Sequence, residues 1–139
     1  MIRRRSLILF GALAAVAAVI SGGCAGDGGS PGARAPLVSP AVFQAAIDES
    51  DRVTINVHTP DEGSIRGTDL AIPFDELAAR QRELPIRSTP LAVYCRSGSM
   101  SAEAVDTLVG LGFQDIVELE GGMLAWAQDG RPIVPATTG

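Results

Sequence analysis

Lysine is absent from this chain of 139 residues, and all eleven basic side chains are arginine. That excludes Schiff-base chemistry from a lysine amine. Histidine occurs once, at His58. With no cysteine or carboxylate at ligand spacing beside it, neither a metal nor a cofactor is expected, and His58 reads as a loop residue. Cysteine occurs twice, at Cys24 and Cys95. Once Cys24 is taken by other chemistry, Cys95 has no disulfide partner in its own chain, and thioredoxin-like exchange lacks its resolving thiol. Positive charge is scarce too: the formal net charge is −5. Without Arg3, Arg4 and Arg5, eight arginines face sixteen acids, a balance near −8. The acids are scattered rather than blocked, which describes a solvated surface and no nucleic-acid partner. A membrane-spanning run of about 20 apolar residues is also missing.

The N-terminus is a basic head followed by an uncharged, alanine-rich stretch of fourteen residues, 7–20. Ser21-Gly22-Gly23-Cys24 comes next. Basic head, short apolar run and small residues before a cut site describe a secretory signal over 1–23. It resembles the signal of a bacterial lipoprotein, in which small residues precede a cysteine that becomes lipid-modified. Gly22, Gly23 and Cys24 fit, whereas Ser21 stands where an aliphatic residue is usual. The alternative is an ordinary cleaved signal followed by an incidental cysteine. Arg4-Arg5 faintly resembles a twin-arginine export signal, a match too short to decide the route. The lipoprotein resemblance implies an exported protein, anchored to a membrane through Cys24 and facing the extracytoplasmic side. Residues 24–36 are rich in Gly, Ala, Ser and Pro and read as a flexible linker. By random-coil scaling such a tether spans about 20 Å. One folded domain is expected over 37–135, with 136–139 as a tail.

Within the domain the pattern alternates. Ser39 with Pro40 caps a helix through Val42, Phe43, Ala46 and Ile47. Residues 52–57 form a β-branched strand, 58–68 a polar loop and 69–72 a short strand. Pro73 starts a helix through Phe74, Leu77 and Ala78 that fades near Leu84-Pro85. Residues 91–94 are a strand, and 101–111 a helix with Ala104, Val105, Leu108 and Leu111 on one face. Another strand covers 116–119, and Gly121-Gly122 turns into a last helix through Leu124 and Trp126. Met123 and Trp126 read as core packing. Strands alternating with helices predict an α/β fold, a mostly parallel central sheet with helices on both faces.

In such sheets ligands bind beyond the carboxyl ends of the strands, and the run Leu91-Ala92-Val93-Tyr94 delivers Cys95 there. The loop Cys95-Arg96-Ser97-Gly98-Ser99-Met100-Ser101 faces unpaired backbone N–H groups and the positive end of the following helix. Both favour the thiolate, the reactive form, and Arg96 adds a fixed positive charge. Gly98 suits a bend that other residues avoid.

These residues resemble the rhodanese homology domain. Cys95-Arg96-Ser97-Gly98 with Ser101, then Leu111-Gly112-Phe113 and Leu119-Glu120-Gly121-Gly122-Met123-Leu124-Ala125-Trp126, carry the resemblance, and Gly130-Arg131-Pro132-Ile133 continues it. Upstream, Ile65, Gly67 and the run from Ile72 to Leu77 look like the family's first loop and second helix. The resemblance implies a rhodanese-like fold and sulfur transfer: a donor such as thiosulfate or a persulfide loads sulfur onto Cys95, and cyanide or a thiol accepts it. It also implies Cys95 as the catalytic nucleophile. Backbone N–H groups of Arg96, Ser97, Gly98, Ser99, Met100 and Ser101 would then bind the persulfide anion, a task suited to a ring of donors. Related phosphatases carry an arginine six residues after the cysteine; Ser101 stands there, which argues against phosphate hydrolysis.

Some positions depart from the common pattern. Met100 replaces an arginine, which removes a positive charge from the loop mouth. Asn56 and His58 stand where aspartate and arginine are common, and Ser64 and Arg66 replace a frequent His and Pro. A non-enzymatic envelope module that binds a partner protein is the alternative function. A thiol-redox sensor forming intermolecular disulfides through Cys95 is a third.

Overall fold

The computed structural model describes residues 34–137. In chain order its elements are β1 (Leu37–Val38), α1 (Pro40–Ile47), β2 (Val53–Asn56), β3 (Ser64–Ile65), β4 (Leu70–Ala71), β5 (Leu91–Tyr94), α2 (Ser99–Gly110), β6 (Ile116–Leu119), α3 (Gly122–Gln128) and β7 (Ile133–Val134). Five strands form one sheet in the order β1-β6-β5-β2-β4, every pairing parallel. β3 and β7 pair antiparallel in a separate two-stranded ribbon.

All four residues of the central strand β5 are buried. A parallel strand covered on both faces needs such a continuous apolar run. Leu91, Val93 and Cys95 face one layer, with Ile55, Val57 and the α2 residues Ala104, Val105 and Leu108. Ala92 and Tyr94 face the other, with Phe43 of α1 and Met123 and Trp126 of α3. Phe43 packs edge-on against both rings, centroids 6.0 Å from Tyr94 and 6.3 Å from Trp126. Burying one such ring stabilises by about 1.5–3 kcal/mol. The architecture is therefore the α/β sandwich that the pattern predicts, with helices on both faces. The Ser39 cap is present, its Oγ accepting the Val42 N–H at 3.4 Å.

Three expectations change. The helix predicted from Pro73 is a succession of turns over 74–82. Its backbone bonds mix three- and four-residue spans, from the Glu76 N–H to the Pro73 carbonyl and from the Arg80 N–H to the Glu76 carbonyl. Leu77 and Leu84 are buried there, but Ala78 is exposed, and so narrow an apolar face does not sustain a continuous helix. The predicted loop 58–68 contains β3, which the chain's end completes by supplying β7. The chain also meets the sheet before residue 37: Ala35 packs against the core, and the Pro36 carbonyl accepts the Glu118 N–H at 3.0 Å. The signal expected over 1–23, Cys24 and the linker up to residue 33 lie outside the described residues, as do 138–139. Among the described residues no helix is long and apolar enough to cross a membrane.

Candidate active site at Cys95

Cys95 ends β5 at the carboxyl edge of the sheet, a free thiol with 1% of its surface exposed. Gly98, at φ 109°, turns the chain into α2, and its N–H donates to Sγ at 3.0 Å. Non-glycine residues rarely hold that backbone angle. The first bond of α2 runs from the Ala102 N–H to the Gly98 carbonyl at 3.1 Å. The N–H groups of Ser99, Met100 and Ser101 precede it and so have no acceptor within the helix.

A second element holds the other side of the loop. The Met123 N–H donates to the Cys95 carbonyl at 2.9 Å and the Leu124 N–H to the Arg96 carbonyl at 3.0 Å. Across trans peptides this turns the Arg96 and Ser97 N–H groups away from α3. Contact is so close at Gly122 that a Cβ there would lie 2.4 Å from the Cys95 carbonyl oxygen. The Gly121-Gly122 pair is therefore a clamp on the cysteine loop, not merely a helix start.

Beneath the sulfur lies a buried polar chain. The Cys95 thiol faces the Ser101 Oγ at 3.5 Å, and the Ser101 hydroxyl donates to the Glu118 Oε1 at 2.6 Å. The Gly98 carbonyl stands 3.1 Å from the same Oγ. Ser101 and Glu118 are both fully buried, and the Glu118 Oε2 has no hydrogen-bond partner among the described residues. The Arg34 guanidinium approaches that oxygen to 4.0 Å. Sequence reasoning missed Glu118. Its signal was a carboxylate inside a four-residue apolar strand, where acids are almost never fully buried without a partner.

At the mouth, Arg96, Ser97 and Ser99 are exposed. The Arg96 Nε lies 3.7 Å from the Glu62 Oε2, a carboxylate that also pairs with the His58 Nε2. The charge assigned to Arg96 is thus partly balanced by an acid that sequence reasoning did not single out. Met100 is half-buried and packs against the same apolar cluster as Cys95. Asn56 shapes the neighbouring loop: its Nδ2 donates to the Gly63 carbonyl at 3.0 Å while its Oδ1 accepts the His58 N–H at 3.0 Å. An aspartate there could not make the first bond. Behind the loop, the Tyr94 hydroxyl accepts the Ile65 N–H at 2.9 Å and meets the Thr68 hydroxyl at 2.7 Å. Burial pushes the Tyr94 phenol above its ordinary value, against the opposing effect of those two hydrogen bonds.

A cavity of about 370 Å³ lies elsewhere, lined by Gln44, Arg66, Trp126 and Arg131 among others, and no residue of the cysteine loop borders it. Among the described residues no group of three or more histidine, cysteine, aspartate or glutamate side chains converges as a metal site.

One cysteine at the carboxyl edge of a parallel sheet, wrapped by a short loop that a glycine pair clamps, defines a cysteine-loop α/β domain. Residues 39–129 match the family model of the rhodanese-like domain, and the chain belongs to that family. A sulfurtransferase of Allochromatium vinosum is 33% identical over 99 residues, which cover 69% of this chain and 91% of that protein. A probable adenylyltransferase/sulfurtransferase of Mycobacterium tuberculosis is 30% identical over 115 residues, 79% of this chain but 29% of the longer relative. The crystal structure of a rhodanese-related protein from Thermoplasma volcanium superposes with a TM-score of 0.61 at 33% identity, over 71% of this chain and 97% of that one. Family and relatives together support a rhodanese-type transferase acting in sulfur transfer on sulfur-containing substrates.

Proposed function

We propose that the protein transfers sulfane sulfur through a persulfide on Cys95. The Cys95 thiolate attacks the outer sulfur of a donor such as thiosulfate or a persulfide. A bond forms from Sγ to that sulfur, the donor's S–S bond breaks, and sulfite or a thiolate leaves with the electron pair. A thiol or cyanide then attacks the outer sulfur, and Cys95 departs as the thiolate. The observation that carries this reading is the Gly98 N–H on Sγ, beside three helix-start N–H groups without intrahelical acceptors. Preorganised donors of this kind stabilise developing negative charge where water is excluded. Arg96, Ser97, Ser99, Met100 and Ser101 complete the proposed binding loop through their backbones.

Mass spectrometry of the Cys95-containing peptide after treatment with thiosulfate or polysulfide tests the proposal. The peptide gains the mass of one sulfur, and Cys95→Ala gains nothing. An intact thiol that forms no adduct with any sulfane donor overturns it. We also propose that the protein is exported and anchored to a membrane through Cys24. Mass spectrometry of the intact mature protein tests this, with a lipid on Cys24 expected and an unmodified Cys24 overturning the anchorage.

Half-buried, uncharged Met100 and the Glu62–Arg96 pair favour the second reading, a catalytically weak module that binds a partner protein in the cell envelope. Retained cellular function in Cys95→Ser supports that reading over the first.

A further inference from the structure

The three atoms Sγ of Cys95, Oγ of Ser101 and Oε1 of Glu118 form a chain with two gaps, 3.5 and 2.6 Å long. Each gap is bridged by one hydrogen. The Ser101 hydroxyl supplies one; the other must come from the thiol or from the carboxyl group. The Gly98 carbonyl is an acceptor only and supplies none. Two arrangements therefore satisfy the chain equally: thiol, hydroxyl and carboxylate, or thiolate, hydroxyl and carboxylic acid. They contain the same number of protons.

We propose that Glu118 stores the Cys95 proton, reached through Ser101. The S–H bond breaks as an O–H bond forms at Oγ, while the original hydroxyl proton of Ser101 moves to Oε1. The electron pair stays on sulfur, and the protein's charge is unchanged. Thiolate then forms without releasing a proton to water, which the 1% exposed sulfur hardly reaches. Once an acceptor has removed the outer sulfur, the returning thiolate reclaims its proton by the reverse path. Glu118 acts through Ser101 and is a positioning residue, whereas Cys95 bears the reacting atom.

The surroundings isolate this pair. From β5 the residue in register with Glu118 is Val93, and from β1 it is Leu37, both uncharged. From α2 it meets Ser101. Among the described residues the cation at Glu118 is Arg34, 4.0 Å from Oε2 with 54% of its side chain exposed. This inference deepens the proposed function by taking Cys95 as its nucleophile.

The test is the pH dependence of Cys95 alkylation by iodoacetamide, followed on the Cys95-containing peptide of the full chain. Because the two arrangements hold equal numbers of protons, the ratio between them does not change with pH. The native alkylation rate should rise with pH in two steps separated by an intermediate flat stretch, as coupled groups produce. In Glu118→Gln, which keeps the shape but cannot hold the proton, the intermediate stretch disappears and the rate rises about tenfold per pH unit in a single step to one plateau. Ser101→Ala, which removes the hydroxyl bridging sulfur and carboxyl, loses the intermediate stretch too. A native rate that rises in a single step to one plateau overturns the proposal without any variant. So does a two-step profile that survives in a folded Glu118→Gln. No sulfur donor is present, so failed sulfur transfer and a failed proton path are read separately.

Discussion

Replacing Gly122 by alanine tests whether the glycine pair clamps the cysteine loop. The new Cβ would lie 2.4 Å from the Cys95 carbonyl oxygen and 2.6 Å from the carbonyl carbon and oxygen of Arg96. Real Cβ atoms essentially never come within 3.0 Å of such atoms, so backbone on one side must retreat. Overpacking of this kind costs about 1–3 kcal/mol. The residue also sits at φ +57°, which adds about 1–2 kcal/mol for a side chain in the left-handed region. Together these predict a loss of about 2–5 kcal/mol, a fall in Tm of roughly 10–30 °C for a domain near a hundred residues. Gly130→Ala isolates the backbone term, because Gly130 has φ +77° but no atom within 4 Å of its Cβ position. Thermal or urea unfolding of the two variants reads the difference, expected at about 1–3 kcal/mol. Retreat of the loop also weakens the Gly98 N–H bond to Sγ, so alkylation of Cys95 in folded Gly122→Ala slows by about tenfold. If the two variants unfold together and react alike, the clamp does not exist.

Three further expectations follow from other parts of the molecule. Tyr94 is the chain's one tyrosine, and burial raises its phenol above the ordinary value. Its contribution to stability is therefore complete below the unfolded value of about pH 10 and is lost as pH rises through the folded one. Tyrosinate absorbance should rise late and together with unfolding; ionisation at the ordinary value in a folded protein contradicts this. Phe43→Ala removes a fully buried ring between Tyr94 and Trp126 and should cost about 3–5 kcal/mol in urea unfolding, with less than 1.5 kcal/mol counting against its place in the core. Glu62→Gln frees Arg96 at the mouth, and because the pair is exposed the gain is at most about 1 kcal/mol. The KM for thiosulfate should fall by about two- to fivefold, and the effect should fade with added salt. An unchanged KM at low salt refutes a steering role for this charge.

The N-capped start of α1, the apolar run of β5 and the buried face of α2 were legible because each is set by neighbours within a turn or by strict periodicity. The helix expected after Pro73 was not, since its fate turned on how little of its surface the sheet could cover. β3 and β7 escaped notice for a different reason: each is two residues long, and their pairing joins segments 70 residues apart at Ser64 and Val134. No local pattern announces such a ribbon.

The site divides along the same line. By itself the sequence determined that one cysteine ends an apolar strand, that a glycine follows three residues later and that a helix, read from Ser101 although it starts at Ser99, comes soon after. Those are local facts of chain geometry, and they place a sulfur at a helix start. Only the tertiary structure decided what surrounds that sulfur. It brought Gly122 within a Cβ radius of the Cys95 carbonyl and Glu62 against Arg96. It also put Glu118, 23 residues downstream of Cys95, beneath the Ser101 hydroxyl. Close packing between strands and helices sets those contacts, and a linear pattern of polarity does not encode which buried oxygen will meet which hydrogen.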